Sequence, residues 1–139
     1  DCIALFIKKI TNDGTSGKSK NWLQMLKPTQ ILIIASDHDY LQLCGKHIHL
    51  MNLAYKQIEP YKHALQLKLI LGDKSDNIPS IFPKCGIKTA LKYADNETQK
   101  KKKLHDPRHP EYLQKYHQNQ LLIDFANIPE ELQLQLQLL

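Results

Sequence analysis

No apolar run in this 139-residue chain approaches the roughly 20 residues that a membrane-crossing helix needs. Cysteine is scarce and scattered: Cys2, Cys44 and Cys85 stand far apart and form no CxxC pair. That argues against a disulfide framework, removes support from a thiolate zinc site, and fits a reducing compartment. No charged start with a small-residue cleavage site precedes the first residues, so no signal peptide is read. The expectation is a soluble intracellular protein of cytoplasm or nucleus, with no membrane partner. Internal repeats are lacking too. Acid is in the minority, with 14 Asp and Glu against 19 Lys and Arg, a net charge of +5. Such a balance favours an anionic partner mildly, and bears on association rather than on fold.

What the chain does have is 42% hydrophobic residues, enough to bury a core of its own. Ile3, Leu5, Phe6, Ile7 and Ile10 predict a helix that Asn12-Asp13-Gly14 ends. Thr11 to Lys20 reads as loop, and Asn21 to Leu26 as a short helix stopped before Pro28. Ile31 to Ala35 is a short, β-branched apolar run, the pattern of a strand buried on both faces. A short helix opens near Asp39 with Ser36 or Asp37 as cap. His47, His49 and Met51 alternate with Ile48, Leu50 and Leu53 as a second strand. Helices are expected at about 61–71, 88–94 and 111–125, the last anchored by Tyr112, Leu113, Tyr116, Leu121 and Leu122. Residues 96–110 are polar, carry two prolines and the run Lys100 to Lys103, and are expected to be the least ordered stretch. That run is either a solvated segment or a phosphate contact. The Leu-Gln alternation at 132–139 fits a strand or a helix end. Strands alternating with helices give the class α/β, with domains expected at 1–60 and 61–139.

Two acidic pairs stand out. Asp37 and Asp39 follow the carboxyl end of the first predicted strand, where open α/β sheets place ligands. Two residues apart on extended backbone, they would face one side. Asp73 and Asp76 are three apart, a spacing that a helical turn or a tight turn brings together. Gathered carboxylates repel unless divalent cations neutralise them, and hard oxygen ligands favour Mg²⁺ or Mn²⁺. The competing reading makes Asp37 and Asp39 helix caps and Asp73 and Asp76 turn formers. Behind Asp76, a turn at Gly86 opens a helix whose first amides could take a phosphate oxygen. Lys84, Lys88 and the Thr89 hydroxyl would assist. His38 is turned away from its neighbours by alternation, and without a cysteine pair a zinc site at His47, His49, His105, His109 or His117 gains little support.

The run Ile33 to Leu43 resembles the strand and acidic motif of the 5′-nuclease superfamily, which holds flap endonucleases and the 5′→3′ exonuclease domains of bacterial DNA polymerases. Leu71-Gly72-Asp73-Lys74-Ser75-Asp76-Asn77-Ile78-Pro79 is similar to its second acidic motif, and Gly86-Ile87-Lys88-Thr89-Ala90 to the end of its helix–three-turn–helix hairpin. Asp1-Cys2-Ile3-Ala4 resembles an E-A-D-D motif entered at its last acid, and a weaker match covers Asn119 to Pro129. The resemblance implies a portion of a PIN-like domain with a short, mostly parallel sheet, joined to a helical DNA-binding subdomain. It implies a structure-specific 5′→3′ exonuclease or flap endonuclease that hydrolyses DNA phosphodiester bonds with two metals, in replication and repair. Asp37, Asp39, Asp73 and Asp76 would be catalytic metal ligands, with Asp1 bordering the first metal. Lys84, Gly86, Ile87, Lys88 and Thr89 would hold DNA, with K⁺ possible at the hairpin. Branched or 5′-ended DNA, RNA-primed in some cases, would be the partner; the resemblance leaves open a clamp partner or a fusion to a polymerase. The family hairpin usually carries two glycines, whereas Lys84-Cys85 here precedes a single Gly86. The resemblance further implies that a first strand, other acids and a basic arch lie outside these residues, making the isolated chain a fragment with little activity. The rival expectations are a non-catalytic DNA-binding module that keeps the hairpin, and a related nuclease preferring RNA.

Overall fold

The computed structural model describes residues 2–12 and 30–137. Asp1, most of the expected 11–20 loop and the expected helix at 21–26 lie outside the described residues. The chain divides into two compact units: residues 1–60 with 128–139, and residues 61–127. The sequence reading carried its second domain through residue 139, whereas residues 128–137 group with the first unit.

In the first unit, helix α1 (Cys2–Asn12) buries Ala4, Leu5 and Ile7 and exposes Ile3 and Phe6. Strand β1 (Ile31–Ile34) pairs in parallel with β2 (Ile48–Met51), Ile31 opposite Ile48 and Ile34 opposite Met51. Only Ile33 of β1 is buried; Leu32 and Ile34 are about half exposed, at 50% and 52%. The expectation of a strand covered on both faces therefore fails within this chain, because the continuous apolar run masks a one-sided strand. A short β3 (Gln57–Ile58), absent from the sequence reading, joins antiparallel to β2, giving a three-stranded sheet with one parallel and one antiparallel pairing. Its turn is built by Asn52, whose side-chain oxygen accepts from the amides of Ala54 and Lys56 at 3.0 and 2.9 Å, an Asx-type turn that periodicity cannot signal. Ile7, Ile33, Leu41 and Leu50 make the core. Helix α6 (Glu130–Gln137) resolves the Leu-Gln stretch as helix and lies against α1.

The second unit contains α2 (Ala64–Leu71), α3 (Ile87–Asp95), α4 (Glu97–Leu104) and α5 (Glu111–Ile123), then a 3₁₀ turn at Phe125–Asn127. Helix α2 starts three residues later than expected. His63 sits left-handed at its N-cap, φ 62°, without capping through its side chain. Instead His63 Nε2 and Lys62 Nζ meet Asp95 Oδ1 at 3.0 and 2.7 Å.

The largest departure is at 96–110, expected to be poorly ordered and found as helix and tight turns. Asn96 caps α4 by accepting from the Gln99 amide at 2.9 Å, and lysine is a good helix former whose apolar stem can be buried. Lys100 is buried, 4% exposed. Its Nζ reaches Glu97 Oε2 at 2.7 Å and Gln66 Oε1 at 2.8 Å, and lies 5.6 Å from the Tyr116 ring centre. Lys103 lies over Tyr112 and within 3.8 Å of Asp106 Oδ2, so Lys101 and Lys102 alone keep the exposure that a phosphate contact needs. On α5 the buried face is Tyr112, Tyr116, Asn119 and Ile123, while Leu121 and Leu122, expected as anchors, are 69% and 62% exposed. The core joins Leu67, Leu69, Ile70, Ile78, Ile81 and Phe82 to Ala90, Ala94, Leu104 and the α5 tyrosines. Phe82 sits 5.1 Å from both Tyr93 and Tyr112, edge-on to the latter.

Candidate functional site

In the first unit, β1 ends at Ile34 and the chain passes through Ala35 and Ser36 to Asp37. Asp37 is extended, φ −79° and ψ 119°, and Oδ1 accepts from the Asp39 amide at 2.8 Å, capping a 3₁₀ helix over His38–Gln42. Residues 37–39 are therefore a cap and a first helical turn, not the extended strand expected to turn both carboxylates to one side. Asp37 and His38 are exposed and Asp39 is half-buried. Both acids follow the carboxyl end of a parallel strand, as expected.

In the second unit, Asp73 and Asp76 lie on a tight turn. The Asp73 amide donates to the Ile78 carbonyl at 2.9 Å and the Ile78 amide donates back at 2.8 Å. Asn77 takes φ 60° to close the turn, a conformation asparagine tolerates well. Gly72 enters it at φ 73° and ψ −170°. A Cβ there would stand 2.6 Å from Pro79 backbone atoms and nearer still to the Ile78 carbonyl oxygen. Buried Ile78, Ile81 and Phe82 hold the turn from below. Ser80 Oγ lies 3.1 Å from the carbonyls of Ile70 and Phe82, and buried Asn119 Nδ2 donates to those of Leu69 and Pro79 at 2.9 and 3.1 Å. Thus α5 braces both the end of α2 and the acidic turn. So fixed, Asp73 and Asp76 bring carboxylate oxygens within 4.8 Å of each other, the convergence their spacing predicted.

Asp73 is held by three hydrogen-bonding groups. Lys68 Nζ lies 2.6 Å from Oδ2, while the Ser75 amide and hydroxyl donate to Oδ1 at 2.9 and 2.5 Å. The Lys68 bond, then Ser75, pull the Asp73 pKa down to about 2 against a smaller opposing effect of burial. Asp73 is therefore an anion throughout the neutral range, and Asp76 is exposed beside it. The donor set, hard carboxylate oxygens a few ångströms apart, suits a divalent cation of the Mg²⁺ or Mn²⁺ type.

Ten residues on from Asp76, the start of α3 presents its amides. Gly86 is extended at φ −91° and ψ 172°, caps α3 without a side chain, and receives the Thr89 and Ala90 amides on its carbonyl at 3.0 Å. The amides of Ile87 and Lys88 belong to the first turn, where no preceding helical carbonyl exists to take them. Lys84, Gly86, Ile87, Lys88 and Thr89 are all exposed. Lys84 adopts φ 54°, so where the family resemblance would place glycine, a lysine takes the left-handed conformation.

Sequence reasoning missed Lys68 and Asn119. A signal for Asn119 existed: Tyr112, Tyr116, Asn119 and Ile123 share one helical stripe. Lys68 carried none, since it reads as an ordinary solvent-facing lysine in the last turn of α2.

Among the described residues no helix is long and apolar enough to cross a membrane. No family model matches the chain. It is 40% identical over 76 residues to a protein of Buchnera aphidicola subsp. Schizaphis graminum (strain Sg) named 5′-3′ exonuclease. The match takes in 47% of this chain and 26% of that relative, so the chain accounts for about a quarter of the relative's length. The likeness supports the resemblance to the 5′ nucleases.

Proposed function

We propose that this chain belongs to a metal-dependent 5′ nuclease that hydrolyses DNA phosphodiester bonds, as a 5′→3′ exonuclease or flap endonuclease of replication and repair. The observation that carries the reading is the 40% identity to a 5′-3′ exonuclease. The paired carboxylates of Asp73 and Asp76 support it independently.

In this reading Asp37, Asp39, Asp73 and Asp76 hold Mg²⁺ or Mn²⁺, and Asp1 borders a further metal position. A bound divalent cation would polarise the phosphodiester and activate a water. The chain's own part is to keep Asp73 ionised, to hold Asp73 and Asp76 on one braced turn, and to grip the DNA backbone. That grip falls to the amides after Gly86, with Lys84, Lys88 and Thr89 adding charge and a hydroxyl; potassium at the hairpin carbonyls belongs to the same proposal. Contacts of this kind hold any sequence. A DNA duplex with a 5′ end or flap is the partner such a grip suits.

The test is cleavage of a 5′-labelled flap duplex in Mg²⁺ by the intact protein. Replacing Asp73 and Asp76 together with Asn is expected to abolish cleavage while DNA affinity persists. Cleavage at the unmodified rate by that variant would overturn the assignment. Two observations favour the rival reading of a non-catalytic DNA-binding module: Asp37 serves as a cap, and Asp73 is already paired with Lys68. Under that reading the intact protein binds the flap and leaves it uncut.

A further inference from the structure

The pairing of Lys68 with Asp73 has a chemical consequence for any cation that enters the acidic turn. A carboxylate offers about four lone-pair directions. Three of those on Asp73 are taken: two on Oδ1 by the Ser75 amide and hydroxyl, and one on Oδ2 by the Lys68 ammonium. The ion pair is also withdrawn from water, with the Lys68 and Asp73 side chains 21% and 15% exposed. Lys68 does not arrive by chance. It occupies the last turn of α2, and its carbonyl accepts the Gly72 amide at 2.8 Å, so the residue that opens the acidic turn is anchored to it.

We infer that Lys68 is a resident counter-cation of Asp73 that competes with a divalent metal for Oδ2, weakening metal binding while holding the carboxylate in its metal-ready position. This rests on the proposed reading of Asp73 as a metal ligand. A divalent ion on the remaining lone pair would sit beside an ammonium in a poorly solvated place, where like charges repel strongly. To bind well, it must displace the lysine. The arrangement lets the turn keep its shape without metal, since the ammonium neutralises the carboxylate that would otherwise repel Asp76.

The experiment is Mn²⁺ binding to the full chain, followed by electron paramagnetic resonance of the free ion, on the parent, Lys68→Met, Lys68→Arg and Asp73→Asn. Circular dichroism verifies the fold of each, and Lys68→Gln replaces the methionine variant if that fails to fold. Removing the charge is expected to tighten the Asp73-dependent binding about tenfold, and arginine is expected to leave it near the parent value. A merely structural ion pair gives the opposite result, because a loosened Asp73 binds metal no better or worse. If Asp73→Asn lowers binding but Lys68→Met leaves it unchanged or weaker, the inference about Lys68 is overturned and the metal assignment stands. If neither the parent nor Lys68→Met binds Mn²⁺ more tightly than Asp73→Asn, both fall.

Discussion

Replacing Gly72 with alanine is expected to destabilise the second unit far more than the same change at Gly45 or Gly86, and these three glycines make the reasoning testable. At Gly72 the backbone lies at φ 73° and ψ −170°, a region almost closed to other residues, worth about 1–3 kcal/mol of strain. The added methyl would also stand 2.6 Å from Pro79 backbone atoms, and backbone cannot swing aside as a flexible side chain can. Relief requires Ile78 and Pro79 to retreat, which opens the two-way Asp73–Ile78 bridge at roughly 1 kcal/mol per hydrogen bond. The expected loss is about 4 kcal/mol in all, against the 5–15 kcal/mol that typically separates folded from unfolded domains. Gly45→Ala and Gly86→Ala are the controls, since a methyl at either position meets nothing within 4 Å. Each is expected to cost under about 1 kcal/mol, the Gly86 cost reflecting alanine's weakness as an N-cap. Gly86→Ala should nonetheless weaken DNA binding if phosphate approaches the start of α3, while Gly45→Ala should not. Urea denaturation followed by circular dichroism measures all three. A Gly72→Ala loss below about 1 kcal/mol, or equal losses at the three positions, would refute the steric argument.

Two further outcomes follow from side chains of the second unit. Asp73 has its folded pKa depressed to about 2, so its contribution is fully present above the unfolded value near 3.9 and fades as pH falls through about 2. In metal-free buffer Asp73→Asn is therefore expected to cost about 2 kcal/mol at pH 7 and close to nothing at pH 2, as read from denaturation across that range. Lys100→Ala is expected to cost about 2 kcal/mol, since it strips a buried stem and leaves Gln66 without its 2.8 Å donor. Lys101→Ala and Lys102→Ala, both exposed, should lie within about 0.5 kcal/mol of the parent, and thermal melts of the three would show whether the run acts as a unit.

Legibility differed from one level of structure to the next. The acidic turn, the helix start after Gly86 and most of the order of strands and helices were readable, because each rests on local spacing: Asp73 and Asp76 three apart, an apolar run before Asp37, glycine before Ile87. The lysine run reads as solvated from its charge alone, whereas Lys100 is buried and sets its ammonium between Glu97, Gln66 and the Tyr116 ring. Leu121 and Leu122 were misplaced for the converse reason, hydrophobicity having been weighed above helical phase. Asn119 carries the stripe they were assigned to, and it does so with two backbone hydrogen bonds. Strand β3 depends on the Asn52 turn, a side-chain-to-backbone effect without periodic signature. Lys68 could not be found from sequence, since a salt bridge from a helix to the turn five residues on depends on how Gly72 redirects the chain.

Within the second unit these details converge on one arrangement. Ile70 at the end of α2, Ile78 and Ile81 in the turn, Phe82 after it and Ala90 in α3 belong to one buried cluster. The Asp73–Asp76 turn and the amides after Gly86 are therefore mounted on the same core, and neither can shift without disturbing the other. Helices braced by buried packing are stiffer supports than free loops, which matters if one element holds metal and the other grips backbone phosphate. On the proposed function, the spacing between the phosphate that is cut and the phosphate that is held is then a property of this core, and not of the DNA. A cavity opened beneath both elements by Ile81→Ala, at a fully buried position, would loosen that spacing without touching any charged group. Such a substitution should weaken cleavage more than binding, because each phosphate contact survives singly while their joint register is lost.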